Sequence, residues 1–437
     1  METNLKNRVS SIADTIPIID IHTHLYAPAF GASTPGHPEP EPPLLLWGIN
    51  ELLAYHYFVD EVFRVLPRRT TPASLTPDAF WAMPTADRAD LVWKELFVER
   101  PPVSEACVGL IDVLTSLGLD PNAPDLAGYR SWFAARDLDA HIDEVMRLAG
   151  VTKLMMTNEP FNELEHDRWL GNPSVAADPR FAPVVRVDPI VEQWPAACRA
   201  LSSQGFDVHE DLSGDTPAEV RRFLDEWIER ANPEYLACSL SPGYRHNPKS
   251  TSLSERSFTR LFDDCLAQTA RAHNLPLALM IGAKRGVHSE MQLAGDGLGK
   301  TDTDQLVSIA RTHPDVTLLV TLLSRENQHE LCVAARKFAN ILPFGCWWYL
   351  NTTSLIREIT TTRLELLGTA FIPQHSDARV LEQLIYKWRQ SRRLIADCLA
   401  DRYTHAERAG ATITDTQIEA DLTRMLRGNY ESITSTA

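Results

Sequence analysis

The feature that most constrains the fold is an alternation of short apolar runs with amphipathic helical patterns along most of the 437 residues. The runs are bounded by turn residues and rich in β-branched side chains, which is typical of buried strands. Eight of them cover residues 16–25, 151–157, 182–187, 235–240, 276–281, 316–322, 341–346 and 368–372. Strands that alternate with helices form parallel sheets, and eight such units are the number that forms a barrel. The sequence therefore predicts an α/β fold, a (β/α)8 TIM barrel.

A long helical segment interrupts this alternation after the first strand. It begins with a Pro/Gly/Ser-rich stretch at residues 28–43, which is followed by four patterns with apolar residues three or four apart. These patterns cover residues 49–66, 87–98, 103–118 and 140–150. We expect a barrel domain made of residues 1–30 and 151–437, with a mostly helical insertion at residues 31–150.

The net charge and the cysteine content limit the classes of binding partner and the cellular compartment that we expect. A formal net charge of −16 argues against a surface for nucleic acid or for an anionic membrane. No apolar run reaches the roughly 20 residues that span a bilayer, and residues 1–11 lack the pattern of a signal peptide. The seven cysteines show no C-x-x-C spacing and are odd in number, as expected for reduced thiols. We expect a cytoplasmic protein.

The first predicted strand carries a pair of histidines at its carboxyl end. Residues two apart on a strand point to the same face, so Asp20, His22 and His24 are expected to line one side together. Active sites of barrels lie at this end of the strands, and two imidazoles there suit Zn²⁺ or a similar divalent ion. A bare H-x-H pair also occurs by chance or on a surface. Its position at the end of the first barrel strand favours the metal.

A third ligand is expected because catalytic metals usually have three protein ligands. The best candidate follows the eighth strand, in the segment from Gln374 to Arg379. Asp377 can ligate a metal or act as a base, and Arg379 can hold a substrate carboxylate with two parallel hydrogen bonds. The alternative is a helix N-terminus, because Ser376 and Asp377 are good capping residues.

At this point the residues carry a family resemblance. The chain resembles the amidohydrolase superfamily, a group of metal-dependent hydrolase barrels, and within it the uronate (glucuronate) isomerases. Seven segments are similar to the family's motifs, in the same order along nearly the whole length: Asp20-Ile21-His22-Thr23-His24-Leu25, Tyr55-His56-Tyr57, Met156-Thr157-Asn158-Glu159-Pro160, Val185-Arg186-Val187-Asp188, Leu279-Met280-Ile281-Gly282-Ala283-Lys284-Arg285, Gly345-Cys346-Trp347-Trp348-Tyr349-Leu350-Asn351 and Asp377-Ala378-Arg379. Such order over many segments is specific, whereas any one of them alone is weak.

The resemblance implies a site and a reaction. It implies one divalent ion held by His22, His24 and Asp377, with Zn²⁺ as our first expectation and Mn²⁺, Fe²⁺ or Co²⁺ as alternatives. The reaction would be aldose–ketose isomerisation of a uronate through an enediol, under an insertion that covers the active site. The implied catalytic residues are Asp377, Tyr57, His56 and Arg379, and the implied substrate-binding residues are Arg285, Arg379, Trp347 and Trp348. Asp377 and Tyr57 are the candidate proton carriers. The resemblance also suggests a homo-oligomer that acts on a small sugar acid or another carboxylate.

The chain departs from the family at three places. Met280 stands where the family has a histidine on strand five, Asn158-Glu159 replaces two aspartates, and the fourth strand lacks the family's Asp-His pair. A thioether is a poor ligand for a hard ion and carries no proton. His375 is a possible replacement at the substrate or the metal, or else a loop histidine without such a role.

These departures leave other functions open. One alternative is a mononuclear metal-dependent hydrolase or decarboxylase of the same superfamily, and another is a barrel that has lost catalysis and binds a ligand. A binuclear hydrolase is disfavoured, because strand four has no lysine and residues 316–322 have no histidine.

Overall fold

The computed structural model describes residues 2–33, 42–66 and 75–434. Residues 34–41 of the proline-rich stretch predicted at residues 28–43 therefore lie outside the described residues. Ten strands occur in the described chain: β1 (Ile18–Asp20), β2 (Val151–Met155), β3 (Phe181–Ala182), β4 (Val185–Arg186), β5 (Leu236–Leu240), β6 (Leu277–Ile281), β7 (Ala283–Lys284), β8 (Gly297–Leu298), β9 (Leu318–Leu322) and β10 (Ile341–Pro343).

The barrel strands are parallel throughout. One sheet has the order β1-β2-β3 and the other has the order β10-β9-β6-β5-β4, while β7 and β8 form a separate antiparallel pair. All five residues of β6 and all five of β9 are buried, as expected for strands covered by helices on one side and by the barrel interior on the other. With its helices, this parallel arrangement confirms the predicted (β/α)8 fold.

Two predicted strands are shorter or more broken than expected. The third is split into β3 and β4, and Pro183 between them has no N–H to donate to a ladder. Asn158 bridges the two sheets by pairing with Val185. The eighth predicted strand contributes only an isolated bridge between Phe344 and Ile372. Beyond that bridge, Asp377 and Ala378 form backbone hydrogen bonds with His22 and His24, which follow the first strand.

Helices surround the strands and account for about half of the described chain. They are α1 (Glu2–Ala13), α2 (Ile49–Leu53), α3 (His56–Val65), α4 (Pro77–Trp81), α5 (Thr85–Trp93), α6 (Glu105–Ser116), α7 (Ala127–Ala134), α8 (Leu138–Ala149), α9 (Glu163–Gly171), α10 (Asp188–Glu192), α11 (Trp194–Ser203), α12 (Thr216–Ala231), α13 (Leu253–Leu261), α14 (Ala267–Ala272), α15 (Thr303–Thr312), α16 (Gln328–Ala335), α17 (Thr353–Leu367), α18 (Gln383–Arg408), α19 (Asp415–Thr423) and α20 (Asn429–Thr434).

The region between β1 and β2 is helical, with α2 to α8 all lying there. The predicted helix at residues 49–66 is in fact two helices, because Tyr55 adopts an extended conformation (φ −63°, ψ 141°). This break starts α3 at His56 and matters for the site described below. The division of the chain into a barrel and a separate insertion at residues 31–150 stays a prediction.

Helix α18 is the longest element and packs against α1, α6, α8 and α17. Most of its side chains are buried, including the polar residues Gln383, Lys387 and Ser391. All seven cysteines are free and buried. Among the helices that the structure describes, none is both long and apolar enough to cross a membrane.

Candidate metal centre and active site

The side chains of His22, His24 and Asp377 lie close together, with one possible ligand atom of each within 4.8 Å of the others. Oδ1 of Asp377 lies 3.4 Å from Nε2 of His22 and 3.4 Å from Nε2 of His24. This separation is long for a hydrogen bond, but two donors each about 2.0–2.2 Å from a tetrahedral ion lie roughly 3.4 Å apart. In the described part of the chain, Oδ1 of Asp377 is buried and accepts no hydrogen bond. The spacing of the three side chains therefore suits coordination of a metal ion better than direct hydrogen bonds between them.

The protonation states also suit a metal ligand set. Burial, assisted by the charge of Arg379, lowers the pKa of His24 well below its usual value, so this imidazole stays neutral. Burial acts to raise the pKa of Asp377, but the imidazoles of His22 and His24 outweigh it and hold that pKa well below the usual range. A neutral imidazole and an ionised carboxylate are the forms that bind divalent ions.

Backbone contacts between the first and last strands bring the ligands together. The N–H of Asp377 donates to the carbonyl of His22 over 3.1 Å, and the N–H of His24 donates to the carbonyl of Ala378 over 2.7 Å. The backbone of Asp377 has φ +52°. This left-handed conformation is unfavourable for residues other than glycine. Strain of this kind is found at functional sites when the surroundings hold it in place.

Asp20 departs from the expected orientation. The sequence predicted that it would line the same side as His22 and His24, but β1 ends at Asp20 and regular alternation ends with it. Its carboxylate is fully buried and faces Ser376 and Trp388 instead. That part of the prediction was wrong, because three donors in the interior satisfy the carboxylate better than a position beside the metal ligands.

A cavity opens above the three metal-ligand candidates. Its lining includes most of the predicted site residues, namely His22, His24, His56, Arg285, Trp347, Trp348, Asp377 and Arg379. The lining also contains Arg186, Ser239, Met280 and Leu293. A larger cleft of about 750 Å³ adjoins it and shares Arg186, Ser239 and Arg285 with its wall. The cleft and the smaller cavity therefore meet at these three residues.

Three arginines face this cavity with different partners. Arg186 is held by Asp188 at 2.7 Å and by Glu159 at 2.9 Å, and Arg285 is held by Asp296 at 2.6 Å. Within the residues that the structure describes, Arg379 forms no ion pair with a carboxylate, and its Nη2 lies 3.2 Å from Nε2 of His24. Two of the three guanidinium groups are therefore already paired with carboxylates, whereas Arg379 lies beside the candidate ligand His24.

Aromatic residues also line the cavity. Neighbouring residues on a strand point to opposite faces, but β10 ends at Pro343 and a 3-10 turn begins at Trp348. Both Trp347 and Trp348 can therefore line the cavity, and both do. The ring of His56 lies edge-on to Trp348 at 5.7 Å and 4.6 Å from the ring of Tyr57. Tyr57 is therefore close to the cavity, but it packs behind His56.

Two positions bear on the departures from the family pattern. Met280 lines the cavity, where its thioether presents an apolar surface. His375 is fully buried, with its ring 5.2 Å from that of His22 and 5.2 Å from that of Phe344. Neither ring nitrogen of His375 has a hydrogen-bond partner among the described residues. Its role toward substrate stays a prediction.

Sequence reasoning named no role for several residues that shape the site. Arg186 was visible as part of a family-like segment, and its position at the end of β4 was the available signal. Ser239 and Leu293 carry no comparable pattern. Lys387 was not singled out in the sequence, yet it is buried and its Nζ donates to the carbonyl of Ser376 over 2.6 Å.

A second cluster of two histidines and an aspartate provides a useful contrast. Nε2 of His246 and Nε2 of His313 lie 2.8 Å and 2.7 Å from Oδ1 of Asp263. These are hydrogen-bond distances, and Nδ1 of His246 is also paired, with the hydroxyl of Ser308 at 2.9 Å. This cluster is satisfied by its own hydrogen bonds, whereas the cluster at Asp377 is not.

Comparison with known proteins places the chain in a family. No protein-family model matches it, and no curated protein sequence matches it significantly. A crystal structure of a uronate isomerase from Bacillus halodurans C-125 shares 42% sequence identity, with a TM-score of 0.91 over 99% of this chain and 97% of that one.

Two more distant structures share the fold. A uronate isomerase from Thermotoga maritima has 13% identity and a TM-score of 0.69, covering 99% of this chain and 97% of its own. A glucuronate isomerase from Caulobacter crescentus has 14% identity and a TM-score of 0.72, covering 99% of this chain and 94% of its own. Given the 42% identity to the Bacillus halodurans enzyme over nearly the full length of both chains, the protein belongs to the uronate isomerase family of the amidohydrolase superfamily.

Proposed function

We propose that the protein is a metal-dependent uronate isomerase that interconverts the aldose and ketose forms of a hexuronate such as glucuronate or galacturonate. One observation carries the proposal: a metal-ligand cluster and three arginines face the same small cavity. An isomerase of this kind needs to activate a carbonyl at one end of its substrate and to bind a carboxylate at the other. The 42% identity to a uronate isomerase supports the same substrate class.

The metal would be held by His22, His24 and Asp377. Two imidazoles and one carboxylate suit Zn²⁺ first, and Mn²⁺, Fe²⁺ or Co²⁺ according to availability. Bound there, a divalent ion would supply a Lewis acid that polarises the carbonyl and neighbouring hydroxyl oxygens of the substrate. Catalytic metal sites usually have three protein ligands and keep a further position for water or substrate. A set of three ligands would therefore allow such oxygens to bind.

The arginines favour one orientation of the substrate. Arg379 lies beside the proposed ligand His24, so it would act at the reacting carbons and stabilise negative charge on the enediol oxygens. Arg285 is held in place by Asp296 and is 49% exposed, which suits capture of the distant carboxylate from solvent. A planar guanidinium can bind that carboxylate with two parallel hydrogen bonds. Trp347 and Trp348 would enclose the carbon chain between the two ends.

Proton transfer would involve Asp377, Tyr57 and His56. The reaction removes the proton from C2 and protonates the C1 oxygen to give the enediol, and it then removes the proton from the C2 oxygen and protonates C1. Burial raises the pKa of Tyr57 well above 10, so it would serve as a proton donor. Burial lowers the pKa of His56 well below 6.5, and Asp377 is ionised. Asp377 is therefore the proposed base at C2, with neutral His56 as a relay.

The proposal is tested by following glucuronate and galacturonate with the purified, Zn²⁺-loaded enzyme by NMR. We expect signals of the corresponding ketose to appear with the native enzyme and not with His22→Ala or Asp377→Asn. His313→Gln, which alters the second cluster, should keep the activity. If both acids stay unchanged while the metal is bound, a mononuclear hydrolase or a decarboxylase of the same superfamily becomes the better account.

We also propose a cytoplasmic location and a homo-oligomeric state. Seven free, buried cysteines support a reducing compartment, and the oligomer rests on the family resemblance alone. His375 remains a candidate for a substrate contact, because its buried ring lies against the ligand His22.

A further inference from the structure

The main chain just before the ligand Asp377 is held at both of its polar groups. The N–H of Ser376 donates to Oδ1 of Asp20 over 3.0 Å, and the carbonyl of Ser376 accepts from Nζ of Lys387 over 2.6 Å. Both partners are buried, with exposed fractions of 0% for Asp20 and 2% for Lys387. Buried hydrogen bonds to charged groups are stronger than neutral ones, so the position of this peptide is tightly defined.

Trp388 completes this arrangement from the next position of helix α18. Its indole Nε1 donates to Oδ2 of Asp20 over 2.7 Å, and the ring is 1% exposed. Asp20 therefore links the helix to Ser376, with one carboxylate oxygen for each. Burial raises the pKa of Asp20, while its bonds to Ser376 and Trp388 oppose that shift.

The same face of α18 holds the chain on either side of Ser376. Oε1 of Gln383 accepts from the N–H groups of Arg379 and Val380 at 2.9 and 3.2 Å. The hydroxyl of Ser391 lies 3.3 Å from Nε2 of Gln374. Gln383, Lys387 and Ser391 are spaced four residues apart and so lie on one side of the helix. A buried helix face is normally apolar. Here its polar residues form hydrogen bonds with the segment 374–380.

The held segment contains the strained ligand. Asp377 adopts φ +52°, a conformation that costs free energy for a residue with a side chain and needs support from its surroundings. If that support were lost, the peptide could relax and the carboxylate would turn away from His22 and His24. Residues that orient metal ligands typically change metal affinity when they are removed.

We propose that Lys387 and Trp388 are positioning residues, which hold Asp377 in its metal-binding conformation through Ser376 and Asp20. This inference rests on the metal site of the proposed function. Neither residue lines the cavity at the metal-ligand cluster, so their effect reaches the metal through the main chain. Packing alone does not require buried polar residues on this face of α18. The proposal gives a function to the polar residues Gln383, Lys387 and Ser391 there.

The test measures Zn²⁺ affinity of the metal-depleted full-length protein by competition with a chelator, for Trp388→Phe, Lys387→Met and a matched control. The control is Trp169→Phe, because Trp169 is also buried and donates to a buried carboxylate, Glu165, at 3.2 Å. We expect Trp388→Phe and Lys387→Met to bind Zn²⁺ about 10- to 100-fold more weakly. Trp169→Phe should stay within about twofold of the native affinity, even if its thermal stability falls as much as that of Trp388→Phe.

A spectroscopic readout separates positioning from general destabilisation. With Co²⁺ as the metal, the visible absorption bands should change in Trp388→Phe and keep their native shape in Trp169→Phe. If Trp388→Phe fails to fold, Lys387→Met carries the same test. Native Zn²⁺ affinity in both variants, together with loss of binding in His22→Ala, would overturn the positioning role alone. Native affinity in His22→Ala would overturn the metal site itself and the positioning role with it.

Discussion

The backbone N–H of Asp377 donates to the carbonyl of His22 over 3.1 Å, so two residues from opposite ends of the sequence are in direct contact at the metal centre. The bond joins the segment after the last barrel strand to the segment after the first. Two candidate ligands follow the first of these strands and one follows the last, so the candidate site is complete only when both ends of the chain are in place. Metal binding and correct folding should be coupled in this protein.

Removal of one ligand should empty the metal site. We expect His24→Ala and Asp377→Asn to reduce the divalent metal content from about one ion per chain to a small fraction of that value, because two protein ligands rarely hold a catalytic ion. Elemental analysis of the purified proteins measures this directly. His246→Ala serves as the control, since His246 belongs to the hydrogen-bonded second cluster. A native metal content in Asp377→Asn would argue against the ligand set.

Gly345 should tolerate no side chain. It has φ +64°, and a Cβ there would lie 1.9 Å from Nδ1 of His375. Gly118 is a matched control, because it has φ +74° and no heavy atom within 4 Å of the added Cβ. Gly118→Ala should cost about 1–2 kcal/mol of unfolding free energy, from the left-handed backbone alone. Urea denaturation should give a loss at least about 2 kcal/mol larger for Gly345→Ala, from the added steric overlap. Equal losses in the two variants would show that His375 can move aside.

The pH dependence of stability should report on Lys387. Burial lowers the pKa of this lysine to about 8 in the folded protein, whereas an unfolded lysine titrates near 10.4. The unfolded chain binds more protons between these values, so the contribution of Lys387 to stability increases as the pH rises above about 8. Compared with Lys387→Met, the metal-depleted native protein should gain about 2 kcal/mol between pH 7.5 and 9.5. Urea denaturation at both pH values checks this, and a constant difference between the two proteins would contradict it.

Arg285 and Arg379 should separate into a binding and a catalytic effect. If Arg285 holds the distant carboxylate, Arg285→Met should raise KM at least about tenfold with a smaller change in kcat. If Arg379 acts at the reacting carbons, Arg379→Met should lower kcat by about 100-fold or more. Steady-state kinetics with glucuronate tests both. Arg325→Met, which removes only an exposed ion pair with Glu358, should behave as the native enzyme. The reverse pattern for Arg285 and Arg379 would reverse the proposed substrate orientation.

Much of the fold could be predicted from the sequence because its strands are unusually apolar. The runs at β6 and β9 are buried on both faces, and such runs separated by helical patterns have few other solutions. The eighth strand was harder to place, because residues 368–372 form only one bridge there. Helix α1 was not predicted, since its pattern of mostly polar residues does not differ from that of a solvated segment.

Site residues could be predicted where the chemistry of the side chain is sufficient to identify them. They could not be predicted where the orientation of the side chain depends on the path of the main chain. His22 and His24 could be named as candidate ligands from residue type and from their place after the first strand, and Asp377 from the family resemblance; the structure places the three side chains together. The inward orientation expected of Asp20 was wrong, because it assumed that strand alternation continues past residue 20. The buried role of Lys387 was missed, because on a helix rich in arginine only tertiary packing distinguishes a buried cation from an exposed one.

The most direct test of the central claim is solvent exchange at C2 of glucuronate in D2O. The metal-depleted enzyme, the same enzyme reloaded with Zn²⁺ and the His22→Ala variant are compared by NMR. An enediol that forms and reverts in the metal site predicts deuterium at C2 of the recovered glucuronate, together with the ketose, only in the reloaded sample. Ketose formation at an undiminished rate in the metal-depleted enzyme or in His22→Ala, or no exchange and no ketose in the reloaded sample, would contradict the account.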